Sequence, residues 1–311
     1  MENIDNKNSK IKSVAKKTGK FFSDNWYKIL VGTILTVSCA LLLFIILIGF
    51  VNSFRTMSEY RKNFFGFPAE FQFDNYVRMF TDTKNGFYVT RRLPSGKSYT
   101  YGFFEMFWNS IVYSVGSSIL KIYTAAIVAY LCAKYDYKFS KFVHTLVIIV
   151  MIIPIVGAMP SMIQLLHSIG LLDTIWGVYV QNINFQGLNF LILYAGFKGV
   201  ANGYSEAAFI DGASHAKVMF GVIFPLMKNT IVVLFLITFV AFWNDYQTPL
   251  VYWNAYPTIA VGLYNFTNNP LNGSMPEKMA ACMVVLAPIL IIFLFFKDKM
   301  MGNLMVGGLK G

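Results

Sequence analysis

Apolar residues in this chain come in long, nearly unbroken runs and seldom alternate with polar ones. At about 1.5 Å of rise per helical residue, roughly 20 apolar residues cross the ~30 Å hydrocarbon core of a bilayer. Six runs reach that size. Ile29 to Val51, Phe142 to Leu166 and Met279 to Phe296 are the clearest, the first and last without a charged residue. Phe107 to Ala133 holds Lys121 near its middle, and Thr230 to Tyr252 carries Asn244 and Asp245, so both read as spans with a polar interior face. Thr174 to Phe197 has a polar centre from Gln181 to Asn189. It predicts two apolar half-segments around a break that must be covered by protein or line a wet cavity. In the third run, Pro154 and Pro160 predict a kink or interruption, either a device for lining a path or a purely structural accommodation.

Between the first and second runs lies the one sizeable polar insertion. Its Phe71 to Phe80 stretch reads as amphipathic. Gly86 to Thr90 and Lys97 to Tyr101, rich in β-branched and aromatic residues around Leu93-Pro94-Ser95-Gly96, predict a hairpin.

Composition agrees with a multi-span membrane protein: 56% of residues are hydrophobic and 13% charged, with Phe 30 and Met 15. The net charge of +11 invites a nucleic-acid reading, but the basic residues cluster at segment ends, where they set membrane orientation. Lys7, Lys10, Lys12, Lys16, Lys17, Lys20 and Lys28 precede the first run, Lys134, Lys138 and Lys141 follow the second, and Lys198, Lys217 and Lys228 surround a polar loop after the fourth. Lys297, Lys299 and Lys310 follow the last. These ends are expected in the cytoplasm, with the N-terminal lysines also resting on anionic headgroups. The insertion, placed outside, runs against this rule with Arg55, Arg61, Lys62, Arg78, Lys84, Arg91, Arg92 and Lys97, but the charge bias weakens away from span ends. The first run is of span length with no small-residue cleavage site after it, so it reads as a retained helix.

Catalytic chemistry is not legible. Cys39, Cys132 and Cys282 lie in apolar runs, which argues against a disulfide framework or metal site, and His144, His167 and His215 lack metal spacing. Gly96-Lys97-Ser98 looks like the end of a phosphate loop, but Arg91 stands where the first glycine is required. No bound cofactor is therefore expected on this chain. Lys121, Gln164, Gln181, Asn182, Asn184, Asn244, Asp245 and Gln247 are polar groups at or near membrane depth. They either line a path for a hydroxyl-rich solute, which needs both donors and acceptors, or hydrogen-bond between helices.

The polar loop reads Glu206-Ala-Ala-Phe-Ile-Asp-Gly212-Ala-Ser-His-Ala-Lys-Val-Met-Phe-Gly-Val-Ile-Phe-Pro225. Ser205 is a candidate N-cap, Gly212 a terminator and Ser214 the cap of a second helix reaching Pro225. Glu206, Ala207, Ala208, Gly212 and Pro225 resemble the EAA loop of permease subunits of binding-protein-dependent ABC importers. Val222 and Phe224 stand where that family usually shows Ile and Leu, and Ala201 where a proline often precedes the loop. Further matches, in the same order as in the maltose-type carbohydrate permeases, are Phe107-Trp108-Asn109-Ser110, Leu171-Leu172-Asp173-Thr174, Asp211-Gly212-Ala213, Trp243-Asn244-Asp245, Ala260-Val261-Gly262-Leu263 and Gly307 to Gly311.

The resemblance implies an all-α integral membrane protein with six transmembrane helices and both termini cytoplasmic. Its parts are a basic tail 1–28, a first span 29–52, an extracytoplasmic insertion 53–103, a permease core 104–296 with a coupling loop 199–229, and a tail 297–311. It implies ATP-coupled uptake of a sugar or oligosaccharide, with a second permease subunit, two ATPase subunits and an extracytoplasmic solute-binding protein as partners. Glu206, Ala207, Ala208, Asp211, Gly212 and Pro225 are then the ATPase-coupling residues. Phe266 to Ser274, with Asn268, Asn269 and Asn272, resembles a segment that enters the binding protein, and Arg91 and Arg92 are candidate contacts to the same partner. The tail either reaches between the ATPases or is simply solvated. Two rival classes are weaker: a membrane enzyme acting on lipid-linked sugars needs clustered acids or histidines at one interface, and an ion-coupled carrier works without an ATPase-docking loop.

Overall fold

The computed structural model describes residues 2–81, 86–93, 95–153, 157–270 and 272–304, with side chains between 25 and 297. Lys84, Pro94, Pro154 and residues 305–311 with Lys310 fall outside those residues, as do the side chains of the lysines before Lys28 and of Lys299. The chain divides into two compact units, residues 1–73 and 74–311.

The first unit is dominated by α1 (Glu2–Ser53), followed by the short α2 (Met57–Lys62). Thr56 and Glu59 form a capping box at the start of α2: the Glu59 amide donates to Thr56 Oγ1 (3.2 Å) and the Thr56 amide to Glu59 Oε2 (3.0 Å). The Thr56 amide, together with that of Ala69, holds the Glu59 carboxyl below the usual carboxylate range. Buried Arg55 ties the turn together by donating to Asn52 Oδ1 (2.8 Å) and to the carbonyls of Asn63 (2.7 Å) and Glu59 (2.8 Å).

The second unit opens with α3 (Asp74–Thr81) and the antiparallel hairpin β1 (Val89–Arg92) and β2 (Ser98–Tyr101), with Val89 facing Tyr101 and Arg92 facing Ser98. Both expectations for this stretch hold. Its centre is α4 (Phe103–Lys134), against which α5 (Lys138–Ile152), α7 (Ile175–Asn182), α8 (Leu188–Gly199), α12 (Lys228–Asn244) and α14 (Ile259–Asn268) pack. Shorter helices α6 (Ala158–Ser168), α9 (Gly203–Ile210), α10 (His215–Val218), α11 (Phe224–Leu226) and α13 (Gln247–Tyr252) join them, and α15 (Met275–Leu304) closes the described chain. Small residues let α4 sit at the middle: Ser110, Ser114, Ser117, Ser118, Ala125, Ala126 and Ala129 are all buried.

Two expected spans change shape. Phe142 to Leu166 is not one helix: α5 ends at Ile152 and α6 begins after Gly157, whose φ of +78° only glycine adopts cheaply. Pro160 sits in the first turn of α6, where its missing amide costs nothing, so the interruption lies before it. Thr230 to Tyr252 also divides. α12 stops at Asn244 because Asp245 takes an extended conformation and caps α13, accepting from the amides of Gln247 (2.9 Å) and Thr248 (3.1 Å). The fourth run splits into α7 and α8 around residues 183–187, as its polar centre implies. Among the described residues three helical stretches are long and apolar enough to cross a membrane unbroken: Asn25–Ser53, Phe103–Lys134 and Met275–Lys297. A bent pair, His215–Leu226 with Lys228–Asn244 at 75°, makes a fourth if it counts as one span.

Candidate functional site

The polar loop folds as a helix, a sharp turn and a second helix. Asn202, and not Ser205, stands at the N-cap of α9, which starts at Gly203. Its far end is closed by a Schellman motif: the Gly212 amide donates to the Phe209 carbonyl (3.0 Å) and the Ala213 amide to that of Ala208 (2.9 Å). Gly212 takes φ +78°, and a Cβ placed there would meet nothing within 4 Å. The glycine is thus required by its backbone angle, and the space beside it is open. Ser214 caps α10 as expected, its Oγ accepting from the Lys217 amide (3.4 Å). From Met219 to Ile223 the helix widens into a π-turn, and the Phe224 amide reaches back five residues to Met219. This register change precedes Pro225, which can neither donate nor tolerate a regular α-turn before it.

The end of α4 holds this segment at two points. Lys134 Nζ donates to the Val200 carbonyl and to Asn202 Oδ1 (3.0 Å), and Tyr135 Oη pairs with His215 Nδ1 (2.7 Å). Val218, Ile223 and Met227 are buried with Ala126, Ala129, Tyr130 and Phe197. Glu206, Ala207, Asp211, Gly212 and Pro225 are exposed and Ala208 is half-buried. Sequence reasoning missed the apolar residues beside them: Tyr204 and Phe209 are exposed, and Ile210 is 86% exposed. Its signal was present, since an Ile beside Asp211 at a helix end has no core to face.

The polar residues at membrane depth do not form one cluster. Asn182 is buried and donates to Ser117 Oγ (3.1 Å) and the Val178 carbonyl (3.0 Å). Asp245 accepts from the hydroxyl of fully buried Tyr113 (2.7 Å), joining α4 to the α12–α13 corner. Gln181 and Asn184 donate to nearby carbonyls of their own turn, Gly177 (3.2 Å) and Gln181 (3.0 Å). Asn244 donates to Val240 (2.9 Å) and is exposed, as are Gln164 and Gln247. Lys121 is half-buried with Nζ 5.6 Å from the centre of the Phe242 ring.

Several sequence matches prove to be clasps between distant segments. Asn109 Nδ2 donates to the Pro257 carbonyl (3.1 Å), and Ser110 Oγ accepts from the Ile259 amide (2.7 Å) at the start of α14. Asp173, at φ +57°, accepts from the Ala255 amide (3.3 Å), and Thr174 caps α7 through the Gly177 amide (3.1 Å). A Cβ on Gly262 would crowd Met106 and Phe87.

On the loop side, Asn268 donates to Tyr264 (2.8 Å), and buried Lys278 donates to the carbonyls of Thr267 (3.0 Å) and Asn269 (2.9 Å). The amide of Asn272 donates to Asn269 (3.2 Å). Arg92 Nε donates to the Gly96 carbonyl (3.2 Å) and is exposed. Arg91 is half-buried and donates to Thr90 (3.3 Å), and burial holds its guanidinium below the usual arginine value.

Residues 122–301 match the family described as "Binding-protein-dependent transport system inner membrane component". The chain is similar to the arabinooligosaccharides transport system permease protein AraQ of Halalkalibacterium halodurans, 27% identical over 89% of this chain and 96% of that protein. It is similar also to the multiple sugar-binding transport system permease protein MsmG of Streptococcus mutans, 26% identical over 89% of this chain and 95% of that one. Its fold resembles a chain in the crystal structure of a bacterial ABC transporter involved in import of the acidic polysaccharide alginate, with a TM-score of 0.70, 19% identity, and 89% and 97% of the two chains covered.

Proposed function

The chain belongs to the family of inner membrane components of binding-protein-dependent transport systems, and from that premise we propose that it forms half of the translocation pathway for a sugar or oligosaccharide. It is a membrane transport subunit and not an enzyme, and its family works with an ATPase and a solute-binding protein. The proposed assembly contains a second, different permease and two ATPase subunits that hold ATP and Mg, with lipid around the spans. The proposed topology has six spans and both termini in the cytoplasm, the third and fourth spans each made from a pair of broken helices.

The observation that carries this reading is the build of α9. It is a short helix, closed by a Schellman turn, with Tyr204, Phe209 and Ile210 exposed, on a segment clamped to α4 by Lys134 and Tyr135. ATP-driven closure of two ATPases must push the spans through a stiff contact, and an exposed apolar knob on a fixed base transmits force where a floppy linker does not. In this reading Glu206 is the polar anchor, Ala207 and Ala208 the smooth approach face, Asp211 and Gly212 the turn, and Pro225 the start of the span. Lys121, Gln164, Gln181, Asn182, Asn184, Asn244, Asp245 and Gln247 are proposed to edge the path, with Gln164, Asn244 and Gln247 free to meet solute and Asn182 and Asp245 shaping the wall. Asn268, Asn269, Asn272, Arg91 and Arg92 are proposed to meet the binding protein.

The test separates backbone from bulk at one position. Gly212→Ala strains only φ and should cost about 1 kcal/mol of local stability with the ATPase still co-purifying. Gly212→Trp and Ile210→Asp should lose the ATPase in a pull-down and stop uptake. Normal uptake with Gly212→Trp would overturn the coupling role.

A further inference from the structure

Lys121 has no ion-pair partner among the described residues. It lies 18 residues after the start of α4 and 13 before its end, so about 27 Å and about 20 Å of helix separate it from the two ends. α4 is longer than the ~30 Å hydrocarbon core, so its ends overhang the bilayer, and Lys121 lies in its middle third, away from the end positions from which lysines reach the headgroups. Among the described residues the recorded ion pairs are Arg78 with Glu277 and Lys141 with Asp136, and neither touches it. Asp245, just past the end of α12, already accepts from Tyr113 and two amides. The Phe242 ring at 5.6 Å offers a cation–π contact, which offsets part of the desolvation but supplies no charge. On the same face of α4, at i−3 and i−7, the hydroxyls of Ser118 and Ser114 are buried with no hydrogen-bond partner among the described residues. That face therefore leaves a cation and two hydroxyls, each able to donate or accept, without partners among the described residues.

A charge at this depth persists only when something compensates it. We propose that Lys121 reads an anionic group on the transported glycan, so that the substrate class is an acidic oligosaccharide bearing a carboxylate. The proposal rests on the importer reading and narrows it. A uronate ring has both features that this spot answers: an apolar C–H face for Phe242 and a carboxylate for the ammonium. Lys121 acts as a specificity residue, since it discriminates between a charged sugar and its neutral analogue.

The test uses the whole importer in liposomes: both permeases, the ATPases and the binding protein. Uptake is measured for a panel of di- to tetra-uronates, each paired with its carboxyl-reduced, neutral counterpart. The wild type should carry at least one uronate. Lys121→Met should lower that uptake by about tenfold or more with both permeases and the ATPases still recovered together, and Lys121→Arg should keep most of it. Uptake of neutral members only would overturn the proposal, as would wild-type uronate uptake by Lys121→Met. Loss of the second permease from Lys121→Met would also overturn it, because the counter-ion would then be a partner's carboxylate. A wild type that carries no oligosaccharide in either half of the panel counts against the sugar-importer reading itself.

Discussion

α1 and α4 are both long apolar helices, yet the chain uses them in opposite ways. Of the most apolar window in Asn25–Ser53 none is buried within the described chain, whereas 39% of the corresponding window in Phe103–Lys134 is buried. The first carries Leu, Ile, Val and Phe on every side, and from Leu30 to Leu47 these are almost all exposed. The second gives its packed face to serine, alanine and glycine and keeps Phe104, Trp108, Ile119 and Tyr123 outward. In lipid, bulk hydrophobicity gives one helix no reason to prefer another. Close approach of backbones and interhelical hydrogen bonds supply that preference, and only α4 is built for them. Within its own unit the more greasy helix leaves its apolar sides open, and the less greasy one becomes the hub of the other unit.

The comparison can be broken at several points. Leu41→Asp, on the exposed helix, should raise the cost of membrane insertion by about 3 kcal/mol, read as loss of protein from the membrane fraction. Gly116→Ala in α4 should lower stability by about 1–3 kcal/mol, because its Cβ would overlap Tyr179, whose hydroxyl donates to Val112 (2.7 Å). Thermal unfolding in detergent checks this, and an unchanged midpoint would show that the hub packs more loosely than described. Asp245→Ala should cost about 1–2 kcal/mol by leaving the buried Tyr113 hydroxyl without its acceptor, and Tyr113→Phe in the same background should recover part of it. The smallest effect belongs to Gly32→Ala in α1, where a Cβ would meet nothing within 4 Å, so stability should move by less than about 0.5 kcal/mol. A large loss there would reveal a closely packed partner helix and reverse the contrast.

Elements with local causes were legible beforehand. The hairpin follows from β-branched and aromatic runs about a turn, the division of the fourth run from its polar centre, and the turn between α9 and α10 from Gly212 and Ser214. Features that depend on a distant partner were not. Nothing local marks Asp245 as the acceptor of a tyrosine hydroxyl 132 positions earlier, so the fifth run read through a corner that the fold in fact turns there. In the third run the helix stops at Ile152, just before Pro154, as the prolines implied, and α6 resumes after Gly157. Ser205 read as the cap of α9, but the helix starts after Asn202, whose side chain is bound by Lys134 from 68 positions away.

By itself the sequence determined where the apolar runs lie, where backbone angles demand glycine, and the family motif of the loop 206–225, because each is a property of neighbouring residues. Tertiary structure alone decided which long helix is the hub, that Asp245 receives the Tyr113 hydroxyl, and that Lys121 lies beside Phe242 with no ion-pair partner among the described residues. Those outcomes depend on which atoms meet across the bundle, and in a medium where every apolar surface is equally satisfied, only such meetings distinguish one arrangement from another.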